Sequence, residues 1–328
     1  MDPERQIDMF GGTAQAASPV GPATPPADVA ALPLPAGVRF GTSSWAYPGW
    51  AGIVYDRRHS QDRLAKHGLA AYARHPLLRC VGVDRSYYAP PPAEALAAYA
   101  AAVPSGFQFL VKAHDACTIP VWPRHARYGA RRGQANERFL DPAYAAAAVV
   151  EPTVAGLRDK LGALLFQFSP LDIRLLGGPA RFAARLEGFL AGLPRGPRYA
   201  VELRSPELLT DEYAAALLEH GVCHCVNGYP GMPPLEEQYE RARVAYAPSL
   251  VVRWMLHDGM RHEQAGAAFD PFDRLVEEDP ATRRALGRLC QRAQRALQPA
   301  LVIINNNAEG CAPRSIAAVV AWMAEHPE

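Results

Sequence analysis

Lysine is the scarcest charged residue in this chain: of 34 basic residues only Lys66, Lys112 and Lys160 are lysine, and the rest are arginine. A coding bias toward Arg and Ala explains the skew. It also makes each surviving lysine informative, because a compact titratable ammonium differs chemically from a guanidinium. Net charge is scarce too. At +1, it excludes a whole-surface basic field, so any nucleic-acid contact has to come from a local patch. The six cysteines, at 80, 117, 223, 225, 290 and 311, form no CxxC pair and no spaced metal framework, which fits buried thiols in a reducing compartment. No run of about 18 apolar residues could span a membrane, and the acidic, mixed start lacks the basic and apolar segments of a signal peptide. A cytoplasmic chain with no membrane contact is expected.

What is present is enough apolar residue, 49% of 328, to bury a large core. Residues 1–36 read as a flexible Ala/Pro-rich tail without periodicity, and the folded domain as 37–328. There the pattern alternates. VRFGTSSW, LRCVGVD, QFLVKAHD, LGALLFQF, RYAVELRS, GVCHCVNGY, LVVRWMLHD and ALVIINNN read as short buried strands. Helical patterns fall near 61–74, 91–103, 141–160, 178–193, 210–220, 278–296 and 313–325. Eight strands, each followed by a helix or long connection, favour a single (β/α)8 TIM barrel. The rival doubly wound sheet would carry a Gly-rich turn after the first strand, and this chain has none, nor any other nucleotide-cofactor motif.

The strand ends are polar: Ser43 and Ser44, Asp84, Lys112 and His114, Gln167, Glu202 and Arg204, Asn227, Arg253 and His257, Asn305 and Asn306. In a barrel the C-terminal strand ends meet on one face, so these converge into one candidate site. Two-residue spacing places Lys112 with His114, Glu202 with Arg204, and Arg253 with His257 on shared strand faces. The competing reading is an internally satisfied network, with Glu202 paired to an arginine. Lys112, set in the apolar strand FQFLVKA, is either an anion binder, a base or Schiff-base amine, or half of a salt bridge to Glu202 or Asp84. A divalent metal is left open, with His114, Asp115, Glu202, His224, His257 and Asp258 of suitable type but without HxH or HExxH spacing.

The connection after the third strand, about 116–140, carries Arg124, Arg127, Arg131, Arg132 and Arg138 interleaved with Trp122 and Tyr128. Such a loop either holds phosphates and stacks bases or is a solvated basic surface.

GTSSW at 41–45, Trp50 with Gly52 and Tyr55, SYYAPP at 86–91, FQFLVKA at 107–113, LLFQFSP at 164–170, VELRS at 201–205 and the NN with Gly310 and Ala312 together resemble the YecE-like family, domain of unknown function 72. The resemblance spans the folded region and implies a TIM barrel with no settled activity. It carries Trp45, Tyr88, Lys112, Gln167, Glu202, Arg204, Arg253, His257 and Asn306 over as the family's polar and aromatic site. Two departures stand out: Gly82 where many members have a glutamate, and RWMLHDG where the family has a shorter Arg-x-His-Gly.

At the N-terminus, QIDMF resembles the peptide by which bacterial replication and repair proteins bind the sliding clamp, with Gln6 hydrogen-bonding and Ile7, Met9 and Phe10 offering apolar anchors. The alternative is an arm packed on the barrel. Three functions are therefore expected to compete. The first is a DNA-maintenance phosphodiester hydrolase recruited by the clamp, with Lys112, Arg204 and Arg253 stabilising phosphate charge, Glu202 as base or metal ligand, and His257 or His114 as acid. The second is an enzyme on a small phosphorylated or sugar-like substrate. The third is a non-catalytic anion or nucleic-acid binder.

Overall fold

The computed structural model describes residues 19–170 and 172–327. Its strands are β1 Val38–Thr42, β2 Cys80–Val83, β3 Gln108–Lys112, β4 Leu161–Phe168, β5 Tyr199–Leu203, β6 Cys223–Gly228, β7 Leu250–Trp254 and β8 Ala300–Ile304. Each runs parallel to the next, and β8 returns to β1 with Val38 through Thr42 paired to Ala300 through Ile304. This is the closed eight-stranded barrel that the alternation implied.

The strands are buried on both faces, as parallel strands covered by helices must be. Leu110, Leu165, Ala200, Cys223, Cys225, Val251, Leu301 and Ile303 fill the barrel interior, while Phe40, Phe109, Phe166, Val201, Val226, Val252 and Val302 pack outward under the helices. All six cysteines are free and buried, consistent with thiols used as small apolar fillers. Among the described residues no helix is long and apolar enough to cross a membrane.

Helix boundaries follow local chemistry. The stretch expected as one helix over 61–74 divides into Gln61–His67 and Leu69–Tyr72. At the junction is Gly68, where an added Cβ would stand 2.7 Å from the Leu64 carbonyl oxygen. The 141–160 helix starts at Pro142 behind an Asp141 cap and passes through a π-helical segment at Ala146–Val150 before Glu151–Leu157. Besides the single turns Ala27–Ala30 and Ile173–Leu176, the helices Leu235–Arg241 and His262–Phe269 have no counterpart in the sequence reading. The latter two are short, the first mostly polar and the second rich in Ala and Gly, so their apolar periodicity is weak.

The tail needs correction over its described part. Residues 19–36 lie on the barrel: Ala23 N donates to Val54 O at 2.9 Å and Asp56 N to Gly21 O at 3.0 Å. Ala27–Ala30 form a helical turn, and Val20, Val29, Leu32 and Leu34 are half-buried against the core. Composition pointed to a tether because prolines and alanines mask four apolar side chains that find a surface to cover. Gln6, Ile7, Met9 and Phe10 lie outside the described residues.

Candidate functional site at the barrel mouth

Directly above the apolar barrel interior sits a polar layer. The inward positions two residues on from Leu110, Leu165, Ala200, Val251 and Ile303 are Lys112, Gln167, Glu202, Arg253 and Asn305, which is the strand alternation continued upward by one step. Parallel pairing sets Gln167 beside Glu202 and Asn227 beside Arg253.

Glu202, with no solvent exposure, is the centre of this layer. Arg204 Nε donates to its Oε1 at 2.9 Å and Arg253 Nη1 to its Oε2 at 2.5 Å. Arg253, itself 1% exposed, also grips Asp84 through Nη2 at 2.8 and 3.0 Å. Burial alone would raise the Glu202 pKa, but the two guanidiniums overcome it and hold the carboxyl at about 2. Burial likewise opposes the Arg253 charge, and Asp84 and Glu202 more than restore it. The internal network therefore accounts for Glu202, both of whose carboxylate oxygens are committed to arginines, and for the Nη groups of Arg253, whose buried Nε has no partner among the described residues.

Lys112 stands apart from that network. Neither Asp84 nor Glu202 pairs with it; among the described residues its Nζ has no ion pair or hydrogen bond, and it lies 3.7 Å from the centre of the Tyr87 ring. Burial lowers its pKa, Asp84 opposes the shift, Arg253 and Arg204 reinforce it, and the amine rests at about 8. Arg204 is the second group with spare capacity. Its Nε serves Glu202, its guanidinium lies 4.2 Å from the Tyr229 ring centre, and neither Nη group has a hydrogen-bond partner among the described residues.

These two cations face a cavity of about 600 Å³. Asp84 and Arg253 share its floor, Tyr47, Tyr88, Tyr229 and Phe272 wall it, and Ser43, Ser44, Asn305 and Asn307 line one side. Asn305 Nδ2 donates to Ser43 Oγ at 2.7 Å and its Oδ1 accepts from Asn307 N at 2.9 Å, fixing that side. His262 and Glu263, at the start of the His262–Phe269 helix, form the rim.

Several residues expected at the site are elsewhere. Trp45 is buried, donating Nε1 to Leu64 O at 3.1 Å and packing edge-on against Tyr99. His114 lies beyond the end of β3, with Nδ1 2.6 Å from the Tyr144 hydroxyl and Nε2 3.4 Å from Asp115. It supports the insertion and does not line the cavity. His257 hydrogen-bonds through Nδ1 to Asp258 O, and the histidine at the mouth is His262, whose ring accepts from Asn307 Nδ2 at 3.0 Å. Gln167 donates to Ser169 Oγ, Asn227 ties β6 to Gln238, and Asn306 caps the final helix by accepting from Ala312 N at 2.9 Å. The residues missed by the sequence, Tyr47, Tyr229, His262, Glu263 and Phe272, sit in loops or a short helix, where no period marks an inward side. Asn307 was also not named from the sequence, although it completes the NNN run after Asn305 and Asn306.

The insertion is partly self-occupied. Trp122 and Tyr128 are buried, and arginines already cover aromatic rings: Arg131 lies 4.4 Å from Trp122, and Arg127 4.7 Å from Tyr128 and 4.5 Å from Tyr88. The expected base-stacking surface is thus taken by the loop's own guanidiniums, which are exposed, as are Arg124, Arg132 and Arg138. Among the described residues none of these five forms an ion pair. Nor does any group of three or more His, Cys, Asp or Glu among the described residues converge as a metal-binding set. His224, a metal-ligand candidate by residue type, is buried against the Tyr213 hydroxyl at 2.9 Å, and burial lowers its pKa to about 4.

A family model described as "Protein of unknown function DUF72" matches residues 39–328. The chain belongs to the DUF72 family. Two solved DUF72 structures share its barrel: one from Enterococcus faecalis V583, 19% identical with a TM-score of 0.58, covering 89% of this chain and 96% of that one; and one from Thermotoga maritima MSB8, 19% identical with a TM-score of 0.56, covering 88% and 99%. At that identity the likeness extends to the fold. No curated protein matches the chain. The DUF72 position occupied here by Gly82 is tight, since an added Cβ would stand 3.1 Å from the Ser43 carbonyl oxygen.

Proposed function

We propose that this DUF72 barrel is an enzyme for a small substrate bearing a phosphate or carboxylate, held in the mouth with its anionic group at Arg204 and its reacting end at Lys112. The observation that carries this reading is that Lys112, without an ion pair, and Arg204, with both Nη groups free beyond its Nε bond to Glu202, face one cavity, while the neighbouring carboxylates are already neutralised by arginines. A guanidinium with two free Nη groups offers a bidentate anion site. A lysine at about 8 is deprotonated in roughly a tenth of molecules at pH 7, enough to accept a proton or attack carbon. The aromatic walls suit a compact organic body, and such pockets typically enclose most of their ligand. Thermal shift with inorganic phosphate, phosphate monoesters and small carboxylates tests it. A ligand-dependent rise in Tm that disappears in Arg204→Gln supports the reading, and an equal rise in both proteins contradicts it.

A second reading keeps the substrate phosphate but places it in DNA, with QIDMF recruiting the barrel to the sliding clamp. The exposed arginines of the insertion favour it, because Arg127 rests on Tyr88 at the edge of the mouth. In that reading Glu202, bound on both oxygens, positions Arg204 and Arg253 and is neither base nor metal ligand. Anisotropy of a labelled Met1–Gly12 peptide titrated with a sliding clamp tests recruitment. Saturable binding lost on Gln6→Ala with Phe10→Ala supports it, and no binding removes it.

A further inference from the structure

We propose that Lys112 condenses with the carbonyl group of a phosphorylated or carboxylated aldehyde or ketone bound in the mouth, forming an imine. The inference rests on the anion-binding reading above and adds the reactive group of the substrate. Its ground is the unusual social position of this amine: three lysines exist, and the structure treats each differently. Lys160 donates to the carbonyls of Ala100 and Val103, both at 2.6 Å, and is occupied. Lys66 is exposed on the Gln61–His67 helix. Lys112 is partly buried, faces the cavity, and has only the Tyr87 ring as a partner among the described residues.

The surroundings of Lys112 keep a reactive neutral amine within reach. The carboxylates able to fix it as an ammonium are held elsewhere, Asp84 by Arg253 and Glu202 by both arginines. Burial and the neighbouring Arg204 and Arg253 disfavour a third positive charge, against the Tyr87 ring 3.7 Å from Nζ, whose π face favours the ammonium. Desolvation next to other cations is the arrangement that activates lysine as a nucleophile. Arg204, with its free Nη groups, can hold the anionic end of the substrate while its carbonyl meets Nζ.

The step balances without an added reagent. The Lys112 lone pair forms the C–N bond as the C=O π electrons move to oxygen. The carbinolamine oxygen takes one of the amine's two protons together with the proton that the ammonium had released to solvent before attack, and leaves as water. Overall, ammonium plus carbonyl gives iminium plus water, with one positive charge before and after. The iminium then draws electrons from an adjacent C–C or C–H bond, so the reaction class is carbon–carbon cleavage, its reverse, or proton transfer beside the carbonyl.

The test uses the full chain with pyridoxal 5′-phosphate as an anionic aldehyde probe, trapping with cyanoborohydride, intact mass measurement and peptide mapping. The expected result is one reduced adduct at Lys112, formed roughly tenfold or more faster than at Lys66, slowed by inorganic phosphate and missing from Lys112→Arg. Labelling of Lys66 as fast as Lys112, or none at Lys112, overturns the imine. Calorimetry with glycerol 3-phosphate, which has no carbonyl, separates the two levels. Its binding without Lys112 labelling overturns the imine and leaves the anion site, whereas neither binding nor labelling overturns both.

Discussion

Glutamine in place of Glu202 keeps the side-chain shape and removes the charge that two arginines share. Because Arg253 is fully buried, breaking this pair should cost about 3–5 kcal/mol, read as a lower urea midpoint. The pH dependence has a definite sign. Glu202 titrates at about 2 when folded against 4.5 in its unperturbed form, so between those values the unfolded chain binds more protons. Its contribution to stability is present above pH 4.5 and is lost as pH falls toward 2, and that component should be missing in Glu202→Gln. Lys112 is the opposite charge type with the same sign of slope. Its pKa falls from 10.5 to about 8, so the unfolded chain again binds more protons between those values. Stability gains a rising contribution from pH 8 to 10.5 that Lys112→Met abolishes, measured by denaturation at several pH values. Lys112, Glu202, Arg204 and Arg253 were legible in the sequence because two-residue alternation fixes which strand side chains point inward. Trp45, His114 and His257 were not. Each lies just past a strand end, where backbone direction is set by the following loop and no longer by the pleat.

At the scale of elements, β1 and β2 approach so closely that only glycine fits at position 41: an added Cβ would stand 1.9 Å from the Cys80 carbonyl oxygen. Gly41→Ala should therefore cost about 3 kcal/mol through forced displacement of the pair, seen as a fall in Tm. The N-terminal strap makes a separate prediction. Removing residues 1–36 exposes the surface covered by Val20, Val29, Leu32 and Leu34. It should lower stability by about 2–4 kcal/mol relative to removal of 1–18, compared by chemical denaturation. The strap escaped the sequence reading because it uses few backbone hydrogen bonds and no period. The His262–Phe269 helix escaped it because eight residues with buried Ala265 and Phe269 give too little of the helical repeat to distinguish it from a loop.

For the whole molecule, the barrel was readable from strand–helix alternation alone, since eight two-face-buried strands have few ways to bury both faces. The proposed function rests on which charges remain once the ion pairs among Asp84, Glu202 and Arg253 are made. Asp84, Glu202 and Arg253 close on one another, and Lys112 and the outer edge of Arg204 are left facing the cavity. Anion binding there should raise the Lys112 pKa, so the ligand and a proton bind together. Calorimetry of glycerol 3-phosphate at pH 8, in two buffers of different ionisation enthalpy, reads this directly, because the ligand is already fully ionised there. Saturable binding with net proton uptake is expected, with no uptake in Lys112→Met. Binding without proton uptake by the wild-type chain, or uptake unchanged in Lys112→Met, would contradict it.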